Sequence, residues 1–151
     1  MNIAFDIDGV ILEIDLFALR FIDSLSDSKL RSELSKYYYK SRRFLLNPID
    51  FINKDDILFI VTGRNNLYKN ITEAWHKKYL PEAILVCLDH EEPKVETILE
   101  DWFIKQAIVK SKALKKYKID VYFEDTPEVV RELRKLCPDT KIVQYGGRQY
   151  G

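Results

Sequence analysis

Residues 5–10 read Phe5-Asp6-Ile7-Asp8-Gly9-Val10, and the rest of the chain is arranged around them. The apolar run Ile3-Ala4-Phe5 is fit for a buried strand. Two carboxylates, Asp6 and Asp8, follow where that strand should end. Gly9 then permits a sharp turn, or a close approach of backbone to a ligand. A buried strand running into paired acids is poor packing chemistry, because like charges repel and resist burial. A divalent cation would compensate them. The plainer reading is an acidic turn that closes a strand, and residues downstream decide between the two.

Working outward, Ile57-Leu58-Phe59-Ile60-Val61 is the clearest buried strand, apolar without alternation and rich in β-branched and aromatic side chains. It stops at the turn Thr62-Gly63-Arg64. Residues 83–88 form another apolar run, Val121-Tyr122-Phe123 leads into Glu124-Asp125, and residues 141–145 read as a last strand ended by Gly146-Gly147. Helical spacing is read over residues 14–25, then in a second helix with Leu30, Leu34, Tyr37 and Tyr38 on one stripe. Asn47-Pro48 begins a short helical turn. Further helices are expected over residues 67–79, over 95–117 with a break near 108–111, and from Pro127 to about Cys137 with Thr126 as N-cap. Asp89 to Pro93 reads as a loop. Continuous apolar strands alternating with helices predict a parallel sheet covered on both faces. Such sheets place their sites at the carboxyl ends of strands. Asp6, Asp8, Thr62, Gly63, Glu124 and Asp125 all fall at such ends.

Composition narrows the class. With 151 residues, 46% of them hydrophobic and 13% aromatic, the chain can bury one sizeable core. The 24 basic and 24 acidic residues cancel, which argues against a general nucleic-acid coat or a polybasic membrane anchor. Cys87 and Cys137 lack a zinc-type neighbour pattern and read as reduced core thiols. No apolar stretch reaches membrane-spanning length and no secretory leader is read, so a cytoplasmic protein is expected.

In these motifs the sequence resembles the haloacid dehalogenase-like (HAD) hydrolases, whose dominant activity is magnesium-dependent hydrolysis of phosphate esters. The family's four motifs occur in order: Phe5 to Val10, the strand closed by Thr62-Gly63-Arg64, a lysine that is either Lys110 or Lys112, and Val121 to Asp125. The resemblance implies a single domain over residues 1–151. Its fold would be Rossmann-like, three-layer α/β/α with a mostly parallel sheet, and residues 12–55 would form a small helical cap insertion after the first strand. It also implies roles. Asp6 would be the nucleophile that forms an aspartyl-phosphate, and Asp8 the general acid and later base. Thr62, Gly63 and Arg64 would bind phosphate, and the lysine would neutralise nucleophile and phosphate. Mg²⁺ would be held by Asp6, Asp8 (through its backbone carbonyl), Asp125 and Glu124. Glu124, longer than the aspartate usual there, could instead contact a metal-bound water. Glu128 is a further acid, and equally a first-turn helix acid. Short members place the lysine near Lys110, and Lys115, Lys116 and Lys118 read as a solvated helix face. His76 and His90 are expected to have no catalytic part.

The run Tyr37 to Arg43 falls in the insertion. It reads either as a basic and aromatic grip on substrate or as Tyr37 and Tyr38 packed on the sheet with Lys40, Arg42 and Arg43 in solvent. Residues 62–64 and 71–80 are similar to the threonine-tryptophan helix of the deoxyribonucleotidase-like branch. That likeness implies a small phosphorylated substrate, nucleoside monophosphates first, and no membrane partner. A phosphatase acting on nucleic-acid ends, a phosphotransferase, and a Mg²⁺-binding regulatory domain are the alternatives.

Overall fold

The computed structural model describes residues 1–40, 42–64, 66–88 and 99–146. Five strands form one parallel sheet: β1 (Asn2–Phe5), β2 (Ile57–Thr62), β3 (Ile84–Cys87), β4 (Val121–Glu124) and β5 (Lys141–Gln144), in the order β3-β2-β1-β4-β5. The apolar runs become its central strands because both faces are covered. On one face Ala4, Phe59, Val61, Tyr122 and Ile142 pack with Phe103, Ala107 and Leu114 of α4 (Leu99–Lys116) and with Val130 and Leu133 of α5 (Pro127–Leu136). On the other, Ile3, Phe5, Leu58 and Ile60 pack with Trp75 of α3 (Lys69–Tyr79) and with Leu46. Ile3 and Phe5 lie opposite Ala4 because successive strand side chains alternate. The architecture is therefore three-layered α/β/α and Rossmann-like, as expected.

Between β1 and β2 the chain forms α1 (Leu16–Asp23), α2 (Ser28–Lys40) and a 3₁₀ turn at Pro48–Phe51 capped by the Asn47 side chain. Asp15 caps α1, accepting from the Ala18 N–H at 3.0 Å. On α2 the expected stripe is turned. Tyr38 is buried and Leu34 half-buried, while Leu30 and Tyr37 are exposed, so Tyr38 and Tyr39 face inward instead of Tyr37. The break expected near residues 108–111 is absent, and α4 runs unbroken through Lys110. Burial of Phe103, Ala107 and Leu114 on one face outweighs the weak helix propensity of Ile108-Val109. Both cysteines are free, Cys137 buried and Cys87 half-buried. No helix among the described residues is long and apolar enough to cross a membrane. The expected loop at 89–93, with His90, and the turn at Gly147 lie outside the described residues.

Candidate active site

The register builds the site. Phe5 pairs with Phe123 and with Ile60, so Asp6 and Glu124 emerge together, and the Asp6 N–H donates to the Phe123 carbonyl at 3.1 Å. Gly9 adopts φ +85°, and a Cβ there would run into the Asp125 carboxylate. Only glycine lets the turn after Asp8 lie this close to the end of β4.

Asp6 is buried, with Oδ1 accepting from the Ile7 N–H at 2.8 Å and Oδ2 beside the Lys110 ammonium at 3.2 Å. Lys110 also donates to Glu124 Oε2 at 2.5 Å, and that oxygen accepts from the Tyr122 hydroxyl at 3.0 Å. Carboxylate oxygens of Asp6, Glu124 and Asp125 all lie within 4.8 Å of one another, and all three residues are buried. Burial, followed by the charges of Glu124, Asp125 and Asp8, pushes the Asp6 carboxyl well above its usual range against the pull of Lys110. Burial would lower Lys110, but Asp6 and Glu124 prevail and hold it raised and charged. Three clustered carboxylates are a donor set suited to a hard divalent cation. Of the two candidate lysines, Lys110 enters the site, whereas Lys112 is exposed, as are Lys115, Lys116 and Lys118.

Asp8 is treated differently. Arg64 grips its carboxylate in a bidentate pair, Nε to Oδ2 and Nη2 to Oδ1, both at 2.8 Å, and Arg42 stands 3.9 Å away. The Asp8 side chain is thus turned to the arginines and lies outside the metal-type cluster, leaving its backbone carbonyl as the expected metal donor. Arg64, expected on phosphate, is committed to Asp8 and is fixed further by Thr72 Oγ1 at 3.2 Å and by the Tyr39 ring, 4.9 Å from its Cζ. Thr62 is buried at the end of β2. Its hydroxyl accepts the Arg64 N–H at 3.2 Å and keeps its own proton to donate. Gly63 follows, half-buried. Glu128 sits in the first turn of α5, with Oε2 buried and without a hydrogen-bond partner.

Neither reading of Tyr37 to Arg43 holds whole. Tyr37 and Arg43 are exposed, and Arg43 meets Glu13 at 3.3 Å. Arg42 is buried instead, its Cζ 4.0 Å over the Tyr38 ring, and the Tyr38 hydroxyl accepts the Asp15 N–H at 2.9 Å. His76, expected on the helix surface, is half-buried and bonds the Ala83 carbonyl at 2.6 Å. Sequence reasoning missed Tyr122, Tyr39 and the roles of Arg42 and Arg64 toward Asp8. A signal for Tyr122 existed: it precedes Glu124 by two residues on a strand and therefore shares its face.

No protein-family model and no curated protein matches the sequence. Among solved structures, a chain of the Pnkp1/Rnl/Hen1 complex superposes with a TM-score of 0.57 at 17% identity, over 95% of this chain and 45% of that one. A structure of the Pnkp1/Rnl/Hen1 RNA repair complex gives 0.55 at 16% identity, over 99% and 43%. The chain thus spans less than half of either protein, and the likeness is one of fold. The HAD domain of effector protein Lem4 from Legionella pneumophila also aligns, with a TM-score of 0.45 at 10% identity over 99% of this chain and 88% of that domain.

Proposed function

We propose that the chain is a Mg²⁺-dependent phosphoric monoester hydrolase in which Asp6 is the nucleophile. The carrying observation is the environment of Asp6. One oxygen is fixed by a backbone N–H, the other faces Lys110, and two further acids stand within 4.8 Å. Asp6 and Asp125, with the Asp8 carbonyl, would hold the metal, whose chemistry is to shield charge between phosphate and nucleophile. Asp6 attacks phosphorus, the ester oxygen leaves, and the aspartyl-phosphate is later opened by water. Lys110 orients Asp6 and spreads its charge. Glu124, tied to Lys110 and Tyr122, holds that lysine in place. Thr62 offers its hydroxyl proton to a phosphate oxygen. Asp8 gives a proton to the leaving oxygen and takes one from the water. Arg64 keeps it aimed, and one Arg64 contact must loosen while that oxygen carries the proton.

The finer reading places the substrate among nucleotide phosphomonoesters, nucleoside monophosphates first. It is supported by zero net charge, by the short insertion and by the likeness of residues 62–64 and 71–80 to the nucleotidase branch. A second reading, a phosphate at a nucleic-acid end, is favoured by the fold shared with chains of RNA repair complexes. Comparing kcat/KM for nucleoside monophosphates and 3′-phosphorylated oligonucleotides at two salt concentrations separates them. An oligonucleotide preference that falls steeply with salt selects the second.

The activity itself is tested with p-nitrophenyl phosphate. EDTA should abolish turnover and Mg²⁺ restore it. Asp6→Asn should form no phosphoenzyme. Asp8→Asn removes a proton transfer, typically ~10²–10⁴ in rate, and should keep more turnover than Asp6→Asn because this leaving group needs no proton. Full activity in EDTA, or the reverse ranking, would exclude the mechanism.

A further inference from the structure

Among the described residues, two buried donors have no hydrogen-bond partner: Nη2 of Arg42, 3.9 Å from Asp8 Oδ1, and the indole Nε1 of Trp75. Buried polar groups are ordinarily satisfied, so each asks for an acceptor that folding did not supply. Arg42 lies beside Asp8, on the phosphate side. Trp75 lies on α3, in the wall of a groove of about 420 Å³ between the end of α2 and one face of α3. Tyr39 joins the two places, since the Arg64 guanidinium that holds Asp8 sits over its ring and the same residue lines the groove.

The lining has a definite chemistry. Tyr39, Ile71, Trp75 and Tyr79 make it apolar and aromatic, Lys40 and Lys78 add positive charge, and among the described residues no acidic side chain lines it. Ile71 and Lys78 are seven residues apart on a helix, so the groove follows α3 for roughly 10 Å. Aromatic walls stack on flat π-systems, and lysines answer phosphate charge. A sugar phosphate offers the charge but no flat ring. A nucleotide offers both.

We infer that this groove takes the nucleobase of a nucleotide whose phosphate sits at Asp6, with Arg42 on the phosphate side. The inference rests on the reading of Asp6 as the phosphate site. It adds a base-recognition site on α2 and α3, outside the catalytic strand ends.

The test is calorimetric binding to the Asp6→Asn protein, with AMP, ribose 5-phosphate and a 3′-phosphorylated trinucleotide as probes. AMP should bind at least about tenfold more tightly than ribose 5-phosphate, the scale of one stacked base. Ala74→Trp, which fills the groove from an exposed position of α3, should bring that ratio close to one. Equal affinities for AMP and ribose 5-phosphate overturn the inference, and so does a ratio that survives Ala74→Trp. If that variant does not fold, the ratio in Asp6→Asn still decides, and Lys78→Glu, which reverses a charge at the rim, should weaken AMP. The trinucleotide distinguishes the sources of the base. Affinity equal to that of AMP assigns the groove to free mononucleotides. Tighter binding that Lys78→Glu removes assigns it to a strand end. Absence of p-nitrophenyl phosphate turnover by the unaltered protein would sink the hydrolase reading separately, with the base-dependent ratio intact.

Discussion

Lys110 and Lys112 lie two positions apart on α4 and in opposite surroundings. Lys110 is buried between Asp6 and Glu124, whereas Lys112 is in solvent. Removing one partner from a buried ion pair leaves the other charge uncompensated, a cost of about 3–5 kcal/mol. Lys110→Ala should therefore lose activity and also lower the denaturation midpoint. Lys112→Ala should keep both within about 0.5 kcal/mol, as surface substitutions do. Urea titration read beside the phosphatase assay checks this, and an inactive Lys112→Ala would reverse the assignment. The resemblance points to Lys110, but the residues alone do not decide, because both lysines carry the same chemistry at nearly the same place. Two residues on a helix turn a side chain through more than half a circle, and only packing shows which one faces inward. Asp8 and Arg64 give the same lesson: they are separated by 56 residues, and nothing local in either stretch announces a bidentate pair.

At the scale of elements, the strands were legible because an unalternated apolar run has few other destinations. The turn at Gly9 was legible because acids beside a glycine are conspicuous at a strand end. Helix α2 was harder. Its mean hydropathy is low and its three consecutive tyrosines leave the phase open, so the stripe was placed one residue away from the face that is buried. The consequence falls on two neighbouring arginines. Arg42 stacks on Tyr38 and reaches toward Asp8, while Arg43 stays outside against Glu13. Arg42→Ala should raise KM several-fold with a smaller change in kcat, as expected for binding that substrate and transition state share. Arg43→Ala should leave both unaltered. Steady-state kinetics on a nucleoside monophosphate measures the split. Equal effects from the two variants would mean that the insertion acts on the site only through general charge.

For the molecule as a whole, the strand order sets β1 between β2 and β4, so three strand ends meet at one point. That the sheet is parallel, with its site at the carboxyl ends of strands, was foreseeable from the alternation of strands and helices. The way α1 and α2 approach the site was not, because it depends on contacts such as Tyr38 with the Asp15 backbone and Tyr39 with Tyr68 that join distant segments. On the proposed reading, the assembled site would also set an order of arrival. A nucleophile at Asp6 requires a carboxylate, and with all its acids ionised the site sets Asp6, Asp8, Glu124 and Asp125 against Lys110, Arg64 and Arg42. Burial favours a proton on Asp6 in the cation-free site, so four acids facing three cations leave no net positive charge for a phosphate dianion. A bound divalent cation supplies that positive charge, and the dianion becomes welcome. Inorganic phosphate should therefore bind measurably in calorimetry only when Mg²⁺ is present. Equal phosphate affinity with and without the cation would contradict this sequence. Entry would then be ordered, cation before phosphate, and product phosphate would leave from a site that still holds its cation, ready for the next ester.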